Sequence, residues 1–194
     1  MKKVVYLVKE VVLFIKNLNL IFFKYFIKYF NNNIINMNNI YVFDLDDTLI
    51  IHQNGKVRYE NMRPDKSLNN LLKKLGKDNK YIYTNGTYDH AETCLENTKL
   101  NKYFKKTFAR DTIPQMKPYL RSFQYVQAKI NNDNVKNIGK KVIFFDDNYE
   151  NIKVAKRFGW TTVWIHPLFL RRDFYMDYAF PNIYHALLYF SIIY

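Results

Sequence analysis

Short apolar runs alternate with longer amphipathic stretches along the chain from residue 40 to residue 166. The apolar runs predict five buried strands, at 40–43, 81–83, 107–109, 142–145 and 161–165. Between them, apolar residues recur every three or four positions, which predicts helices over 68–75, 88–100, 118–130 and 150–158. Strands that alternate with helices are typical of a parallel sheet, so the pattern predicts an α/β fold.

Two further segments are predicted from local signals. Asn54-Gly55 lies between Ile50-Ile51 and Val57, which is the pattern of a tight hairpin turn. Residues 50–59 are therefore expected to form a small β-hairpin flap. The aromatic-rich tail is expected to contain a last helix around 183–188 that packs on the sheet.

Residues 1–36 differ from the rest of the chain, and residues 37–194 are taken as the working domain. Apolar residues in this extension recur at a spacing that predicts a helix, and Lys, Asn, Ile, Phe and Tyr make up 25 of its 36 residues. Charges interrupt its apolar face at Lys9, Glu10, Lys16, Lys24 and Lys28. A membrane span of about 20 apolar residues is thus disfavoured. The open alternatives are a basic helix on a membrane surface, a true anchor, and a dispensable AT-rich leader before Met37.

Composition narrows the class of protein. Apolar residues make up 48% of the chain, which excludes a disordered protein. The single cysteine, Cys94, excludes an internal disulfide and fits a reducing compartment, so a cytoplasmic location is expected. The net charge of +13 favours anionic partners. Because no basic stripe carries interleaved aromatic residues, a nucleic-acid partner is possible but unsupported.

Polar residues follow the predicted strands where each strand ends. Asp44-Leu45-Asp46-Asp47-Thr48 follows the first strand, and Thr84-Asn85-Gly86 follows the second. Lys117 precedes the helix after the third strand, and Asp146-Asp147 ends the fourth. The carboxyl ends of parallel strands meet at one edge of a sheet, where ligands bind. These residues are therefore expected to form one site.

The residue types at that edge indicate phosphate chemistry with a metal. Carboxylates and water are the ligands that Mg²⁺ prefers. A carboxylate can attack phosphorus and form an aspartyl-phosphate. A lysine, a threonine hydroxyl and loop N–H groups can neutralise and bind the phosphoryl oxygens.

The run Phe43-Asp44-Leu45-Asp46-Asp47-Thr48-Leu49 resembles the DxDxT signature of phosphatases of the haloacid dehalogenase-like superfamily. Thr84, Lys117 and Asp146-Asp147 resemble its second, third and fourth motifs. The resemblance implies a Rossmann-like, doubly wound parallel sheet and a Mg²⁺-dependent phosphomonoester hydrolase.

The resemblance also implies a role for each residue. Asp44 would be the nucleophile and a metal ligand. Asp46 would be the general acid and then the base, with its backbone carbonyl on the metal. Lys117 would neutralise charge, and Thr48 would hold the loop. Thr84, Asn85 and Gly86 would bind the phosphoryl group. Asp147 is favoured as the direct metal ligand, with Asp146 supporting it.

The spacing between motifs bears on the substrate. Only 35 residues separate Thr48 from Thr84, and 32 separate Thr84 from Lys117, which leaves no room for a substantial cap domain. The resemblance implies that relatives without a cap often act on large substrates, such as phosphoproteins or nucleic-acid ends, or use a partner subunit as a lid, so an oligomer is possible. The expected partner of this chain is a small phosphorylated metabolite, a nucleotide or a phosphoprotein. The run around Asp146-Asp147 resembles the magnesium-dependent phosphatase branch. The run Tyr83-Thr84-Asn85-Gly86 with His90 resembles the pyrimidine 5′-nucleotidase branch.

Two alternative functions and the role of one histidine stay open from the sequence. A catalytically weak phosphate-binding or scaffold module of the same fold would be expected to lack a nucleophile or metal ligand, and none is missing. Dehalogenase or phosphonate chemistry is disfavoured by the carboxyl at Asp46. His90, one turn into its helix, is expected to cap or pack rather than to touch substrate.

Overall fold

The computed structural model of the chain describes residues 39–52, 58–75, 79–133, 139–171 and 173–193. The predictions for residues 1–36 and for the Asn54-Gly55 turn fall outside these residues. The described part forms one six-stranded parallel sheet in the order β3-β2-β1-β4-β5-β6. Its strands are β1 (Ile40–Phe43), β2 (Lys80–Tyr83), β3 (Lys106–Phe108), β4 (Val142–Asp146), β5 (Thr161–Ile165) and β6 (Tyr178–Phe180). The predicted parallel α/β sheet is therefore confirmed.

Five α-helices accompany these strands in the described part of the chain. They are α1 (Lys66–Lys74), α2 (Tyr88–Thr98), α3 (Leu120–Asp133), α4 (Tyr149–Phe158) and α5 (Ile183–Ile193). Asp65 caps α1 by accepting a hydrogen bond from the backbone N–H of Leu68. Asn148 caps α4, which ends at Gly159 in the left-handed conformation. These two helices thus begin at a side-chain cap, and α4 ends where the backbone N–H of Gly159 donates to carbonyls of its last turn.

The sheet is covered on both faces, as a doubly wound fold requires. Alternate residues of β1 point to opposite faces, with Phe43 in one apolar layer and Val42 in the other. Buried side chains of α1, α2 and α5 pack in the first layer. Those of α3 and α4 pack in the second. Because the covering helices change face between β1 and β4, the switch point of the sheet lies between these two strands.

Two segments differ from the sequence prediction. The structure contains a sixth strand, β6, which the pattern did not predict because its three residues are only half-buried. At the two ends of the predicted 50–59 hairpin, Ile50 pairs with Asp46 in an isolated bridge and Tyr59–Asn61 form a 3-10 turn, while residues 53–57 lie outside the described part of the chain. In the described part of the chain, none of the segments between motifs folds into a cap domain. No described helix is both long and apolar enough to cross a bilayer.

Candidate active site

The loop after β1 turns back on itself and presents two carboxylates at the sheet edge. The backbone N–H groups of Leu49 and Ile50 both donate to the carbonyl of Leu45, and Asp47 N–H donates to the carbonyl of Ile50. Asp47 adopts the left-handed conformation (φ 56°), which Asp tolerates better than most residues. This turn leaves Asp44 almost buried, with 7% of its surface exposed. It leaves Asp46 half-exposed beside it.

Lys117 joins the loops of β1 and β4 through a buried pair of ionic contacts. Its Nζ lies 2.7 Å from Oδ1 of Asp44 and 2.6 Å from Oδ2 of Asp146. Burial lowers the pKa of Lys117, but the charges of Asp146 and Asp44 outweigh that effect and raise it. Burial raises the pKa of Asp44 and of Asp146, and the charge of Lys117 opposes this in both. The lysine is thus a fixed cation that favours the ionised form of both carboxylates.

Asn85 holds the backbone of Lys117 in place. Its Nδ2 donates to the carbonyl of Lys117, and its Oδ1 accepts from the N–H of Lys117, both at 3.0 Å. The rings of Tyr83 and Phe144 lie 5.1 and 5.4 Å from Nζ. The side chain of Asn85, predicted to lie in the phosphate-binding loop, therefore positions the lysine.

Thr84 and Gly86 form a short loop after β2. Thr84 is buried, and its Oγ1 accepts a 2.9 Å hydrogen bond from the backbone N–H of Gly86. A hydroxyl that accepts this bond keeps its own proton to donate. The carbonyl of Gly86 accepts from the N–H of Arg110, which fixes the loop to the segment after β3. The arrangement is suited to binding an anion.

Asp44, Asp146 and Asp147 form a group of carboxylates that fits a divalent cation. One oxygen from each lies within 4.8 Å of the others. Asp146 uses both oxygens, since it also accepts from Asn148 N–H and from Nδ2 of Asn151. The carboxyl of Asp147 is held more weakly by hydrogen bonds. Its Oδ1 accepts a long hydrogen bond of 3.4 Å from Oγ1 of Thr48, and that Oγ1 accepts in turn from the backbone N–H of Asp147. Burial and the charge of Asp44 raise the pKa of Asp147 to about 6, and a bound cation would relieve that repulsion.

Two histidines contact Asp46, and sequence reasoning missed this arrangement. Nε2 of His52 lies 2.6 Å from Oδ1 of Asp46, and Nε2 of His90 lies 2.8 Å from the same oxygen. His90 was expected to cap or to pack rather than to touch substrate; its ring does pack against Cys94, but its Nε2 also contacts the carboxyl of Asp46, which was not expected. The sequence feature that could have indicated this contact is the position of His90 in the first turn of α2, just after the Thr84 loop. Nothing in the pattern indicated His52, because the turn at Asp47 places it.

Cys94 packs against His90 and adds nothing to the chemistry of the site. Its Sγ lies 3.7 and 3.8 Å from the two ring nitrogens of His90. A sulfur almost equally far from both nitrogens lies in line with neither lone pair. Asp46, His90 and Cys94 therefore make a poor metal site, although their ligand atoms are close together. Burial and the charge of Asp46 raise the pKa of Cys94 to about 12, which keeps it a thiol.

Comparison with known proteins agrees with this architecture. The family model described as haloacid dehalogenase-like hydrolase matches residues 58–159, just over half of the chain. No curated protein matches the chain in sequence. Similar solved structures include the L-2-haloacid dehalogenase from Xanthobacter autotrophicus, with a TM-score of 0.51 and 18% identity over 67% of this chain. This chain spans 62% of the length of that dehalogenase.

Two other similar solved structures match this chain over nearly their whole length. The HAD-hydrolase YfnB from Bacillus subtilis, bound to magnesium, has a TM-score of 0.58 and 17% identity over 77% of this chain and 98% of its own. A haloacid dehalogenase-like family protein from Streptococcus pneumoniae has a TM-score of 0.56 and 13% identity over 80% of this chain and 100% of its own. At these identities the likeness concerns the fold.

The sheet, with its carboxylates and lysine at the switch point, defines a protein of the Rossmann-like α/β class. Within that class, the chain belongs to the haloacid dehalogenase-like hydrolase family.

Proposed function

We propose that this protein is a Mg²⁺-dependent phosphomonoester hydrolase that works through an aspartyl-phosphate on Asp44. One observation carries the proposal. A single buried lysine contacts Asp44 at 2.7 Å and Asp146 at 2.6 Å, and a second carboxyl, Asp46, lies two residues further along the same turn. A carboxylate paired with a cation, beside a separate acid–base group, is what displacement at phosphorus requires.

In the first step, a carboxylate oxygen of Asp44 attacks the phosphorus atom of the substrate. Asp46 gives its proton to the leaving oxygen, and the bond between phosphorus and that oxygen breaks. In the second step, Asp46 takes a proton from water, and the hydroxide attacks the phosphorus of the aspartyl-phosphate. Inorganic phosphate leaves, and Asp44 is restored. Lys117 fixes Asp44 throughout, while Thr84 and the loop to Gly86 hold the phosphoryl oxygens.

Mg²⁺ would be held by Asp44, by Asp147 and by the backbone carbonyl of Asp46. When bound, it supplies positive charge that offsets the phosphoryl group and the clustered carboxylates. Asp147 suits direct coordination because Thr48 occupies it only weakly. Asp146 suits a supporting role because Lys117 and Asn151 already occupy its oxygens.

The substrate would be a small phosphorylated metabolite, a nucleotide or a phosphoprotein. The open edge around Asp46, with no cap domain among the described residues, favours substrates whose leaving group extends into solvent. A second copy of the chain could cover this edge in an oligomer.

The test is an assay of purified protein with Mg²⁺ and with EDTA. The substrates are p-nitrophenyl phosphate, a panel of nucleotides, sugar phosphates and phosphopeptides, and L-2-chloropropionate. We expect phosphate release that EDTA abolishes and that Asp44→Asn lowers at least about a thousandfold. Asn keeps the shape of Asp and removes the nucleophile.

Three results would contradict the proposal. Release of chloride without Mg²⁺ would indicate a dehalogenase. Phosphate release that survives Asp44→Asn would place the chemistry elsewhere. No turnover by folded protein that binds Mg²⁺ would favour the phosphate-binding scaffold.

A further inference from the structure

We propose that His52 and His90 are positioning residues that hold Oδ1 of Asp46 and thereby assign proton transfer to its Oδ2. This inference rests on the proposed function, in which Asp46 is the acid and then the base. It concerns how one carboxyl can perform both roles without moving.

The two imidazoles contact the same oxygen of Asp46 and come from two separate segments of the chain. His52 lies just after the loop of β1, and His90 lies in α2. Their Nε2 atoms are 2.6 and 2.8 Å from Oδ1. The side chains of His52 and His90 are 6% and 14% exposed, against 31% for Asp46. The two imidazoles are therefore more buried than the carboxyl that they contact.

Each histidine is in turn held by a further group. Nδ1 of His90 lies 2.8 Å from the hydroxyl of Tyr59. The backbone N–H of His52 donates to Oδ1 of Asp47 at 3.2 Å. A carboxylate oxygen can only accept, so each Nε2–H donates to Asp46. Nδ1 of His90 then accepts from the hydroxyl of Tyr59, which fixes its tautomer.

This pattern suits both protonation states of Asp46. When Asp46 is ionised, Oδ1 accepts from both imidazoles. When the proton is on Oδ2, Oδ1 is a carbonyl oxygen that still accepts the same two hydrogen bonds. The carboxyl can thus give and take a proton without rearranging its partners, which is the advantage of a preorganised site.

The other oxygen faces the phosphate-binding loop. A methyl group placed on Gly86 would lie 3.4 Å from Oδ2 of Asp46 and 3.3 Å from Oγ1 of Thr84. Oδ2 is therefore next to the position where the phosphoryl group would bind. We assign the transferred proton to this oxygen.

The experiment compares substrates whose leaving groups differ in their need for a proton. The nitrophenolate of p-nitrophenyl phosphate leaves without one, whereas the alkoxide of glycerol 2-phosphate does not. We expect His52→Ala and His90→Ala each to lower kcat/KM for glycerol 2-phosphate by about ten- to a hundredfold, which is part of the roughly hundred- to ten-thousandfold that general acid catalysis contributes. For p-nitrophenyl phosphate we expect less than about a threefold change. His90→Gln, whose amide can donate in place of Nε2–H, should recover part of the loss.

A double-mutant cycle separates positioning from general damage. In the Asp46→Asn background, His90→Ala should lower kcat/KM for glycerol 2-phosphate by less than about twofold, because the group it positions is gone. His185→Ala, at an exposed histidine of α5, is the matched control and should change nothing. Mg²⁺ affinity and the near-ultraviolet circular dichroism spectrum should be retained in all variants.

The outcomes distinguish this inference from the proposed function. If Asp44→Asn and EDTA fail to abolish turnover, the proposed function is wrong. If they abolish it but the histidine variants lower both substrates equally, the positioning role is wrong. Full additivity with Asp46→Asn would also overturn it.

Discussion

Gly86 determines how closely the imidazole of His90 can approach Asp46. A Cβ atom at this position would lie 2.7 Å from Cδ2 of His90, well inside van der Waals contact. To relieve that contact, the ring would have to shift from the position in which its Nε2 lies 2.8 Å from Oδ1 of Asp46. The glycine of the Thr84-Asn85-Gly86 loop is therefore explained by the histidine beside it as well as by the proposed binding of a phosphoryl group by the loop.

We expect Gly86→Ala to lower kcat/KM for glycerol 2-phosphate at least about tenfold, because the methyl group displaces the ring of His90. In a His90→Ala background, where the ring is absent, the same substitution should cost less. Steady-state kinetics of the four proteins measure both effects. An equal loss in the two backgrounds would show that the methyl group acts on the phosphate site alone.

Gly159 supplies the matched control for this substitution. It ends α4 with φ 98°, in the region that favours glycine. Gly159→Ala should lower the free energy of unfolding by about 1 kcal/mol and leave kcat/KM unchanged. Comparison of the two glycine variants would then separate the effect of a steric contact at the site on activity from the effect of a strained backbone on stability.

The residues of the site differ in how far the sequence predicts them. Asp44, Thr84 and Asp147 follow apolar strands directly, so their place at the sheet edge needs only the strand assignment. His52 and His90 depend on the turn at Asp47 and on the direction of α2. Contacts of that kind arise from tertiary geometry, which the hydrophobic pattern does not contain.

At the scale of elements, the side chain of Asp177 helps to hold β6 beside β5. Asp177, just before β6, accepts hydrogen bonds from Nζ of Lys156 and from the backbone N–H of Thr162, the latter at 2.9 Å. The N–H of Asp177 donates in return to Oγ1 of Thr162 at 3.1 Å. These bonds fasten the start of β6 to α4 and β5. The pattern of apolar residues does not predict a strand of this kind, because the hydrogen bonds that hold it come from the aspartate before it.

Asp177→Asn should therefore destabilise the protein by about 1–3 kcal/mol, since it removes a charged acceptor. Burial raises the pKa of Asp177, but the bonds from Lys156 and Thr162 outweigh it and lower the pKa. A lowered pKa means that the stabilisation is complete above the unfolded pKa, about 3.9, and is lost as the pH falls through the folded value.

Urea unfolding of both proteins from pH 7 to pH 3 measures this effect. The difference in unfolding free energy should be constant above about pH 5 and should shrink below about pH 4. Lys153→Met, which removes the exposed pair with Glu150 on the same helix, should cost at most about 0.5 kcal/mol. A difference that stays constant down to pH 3 would show that the charge of Asp177 does not stabilise β6.

At the scale of the whole molecule, the topology places opposite charges where they are needed. Asp44 directly follows β1 and Asp146 ends β4, and these strands are neighbours at the switch point of the sheet. Lys117 reaches between them from the loop after β3. Three segments that are distant in sequence thus meet because parallel strands deliver their carboxyl ends to one edge. This explains why the fold and the central carboxylates were predictable together.

The excess of basic residues should accelerate the capture of anionic substrates. The chain has 30 Lys and Arg against 17 Asp and Glu, and a net charge of +13 attracts a phosphate dianion over a range set by the ionic strength. Between about 0.02 and 0.2 M salt, we expect kcat/KM to fall roughly three- to tenfold. The value of kcat should change little, because the pairs of Lys117 with Asp44 and Asp146 are buried and poorly screened.

The measurement requires saturating Mg²⁺ throughout, so that salt does not act through metal affinity. Sucrose at matched osmolality is the control for effects other than screening. A nucleotide with several phosphates should show a steeper dependence than p-nitrophenyl phosphate, because the attraction scales with substrate charge. If kcat/KM is independent of salt for both substrates, the positive charge is not distributed so as to act at the edge where Asp44 lies. A fall in kcat alone would instead indicate that salt perturbs the buried centre itself.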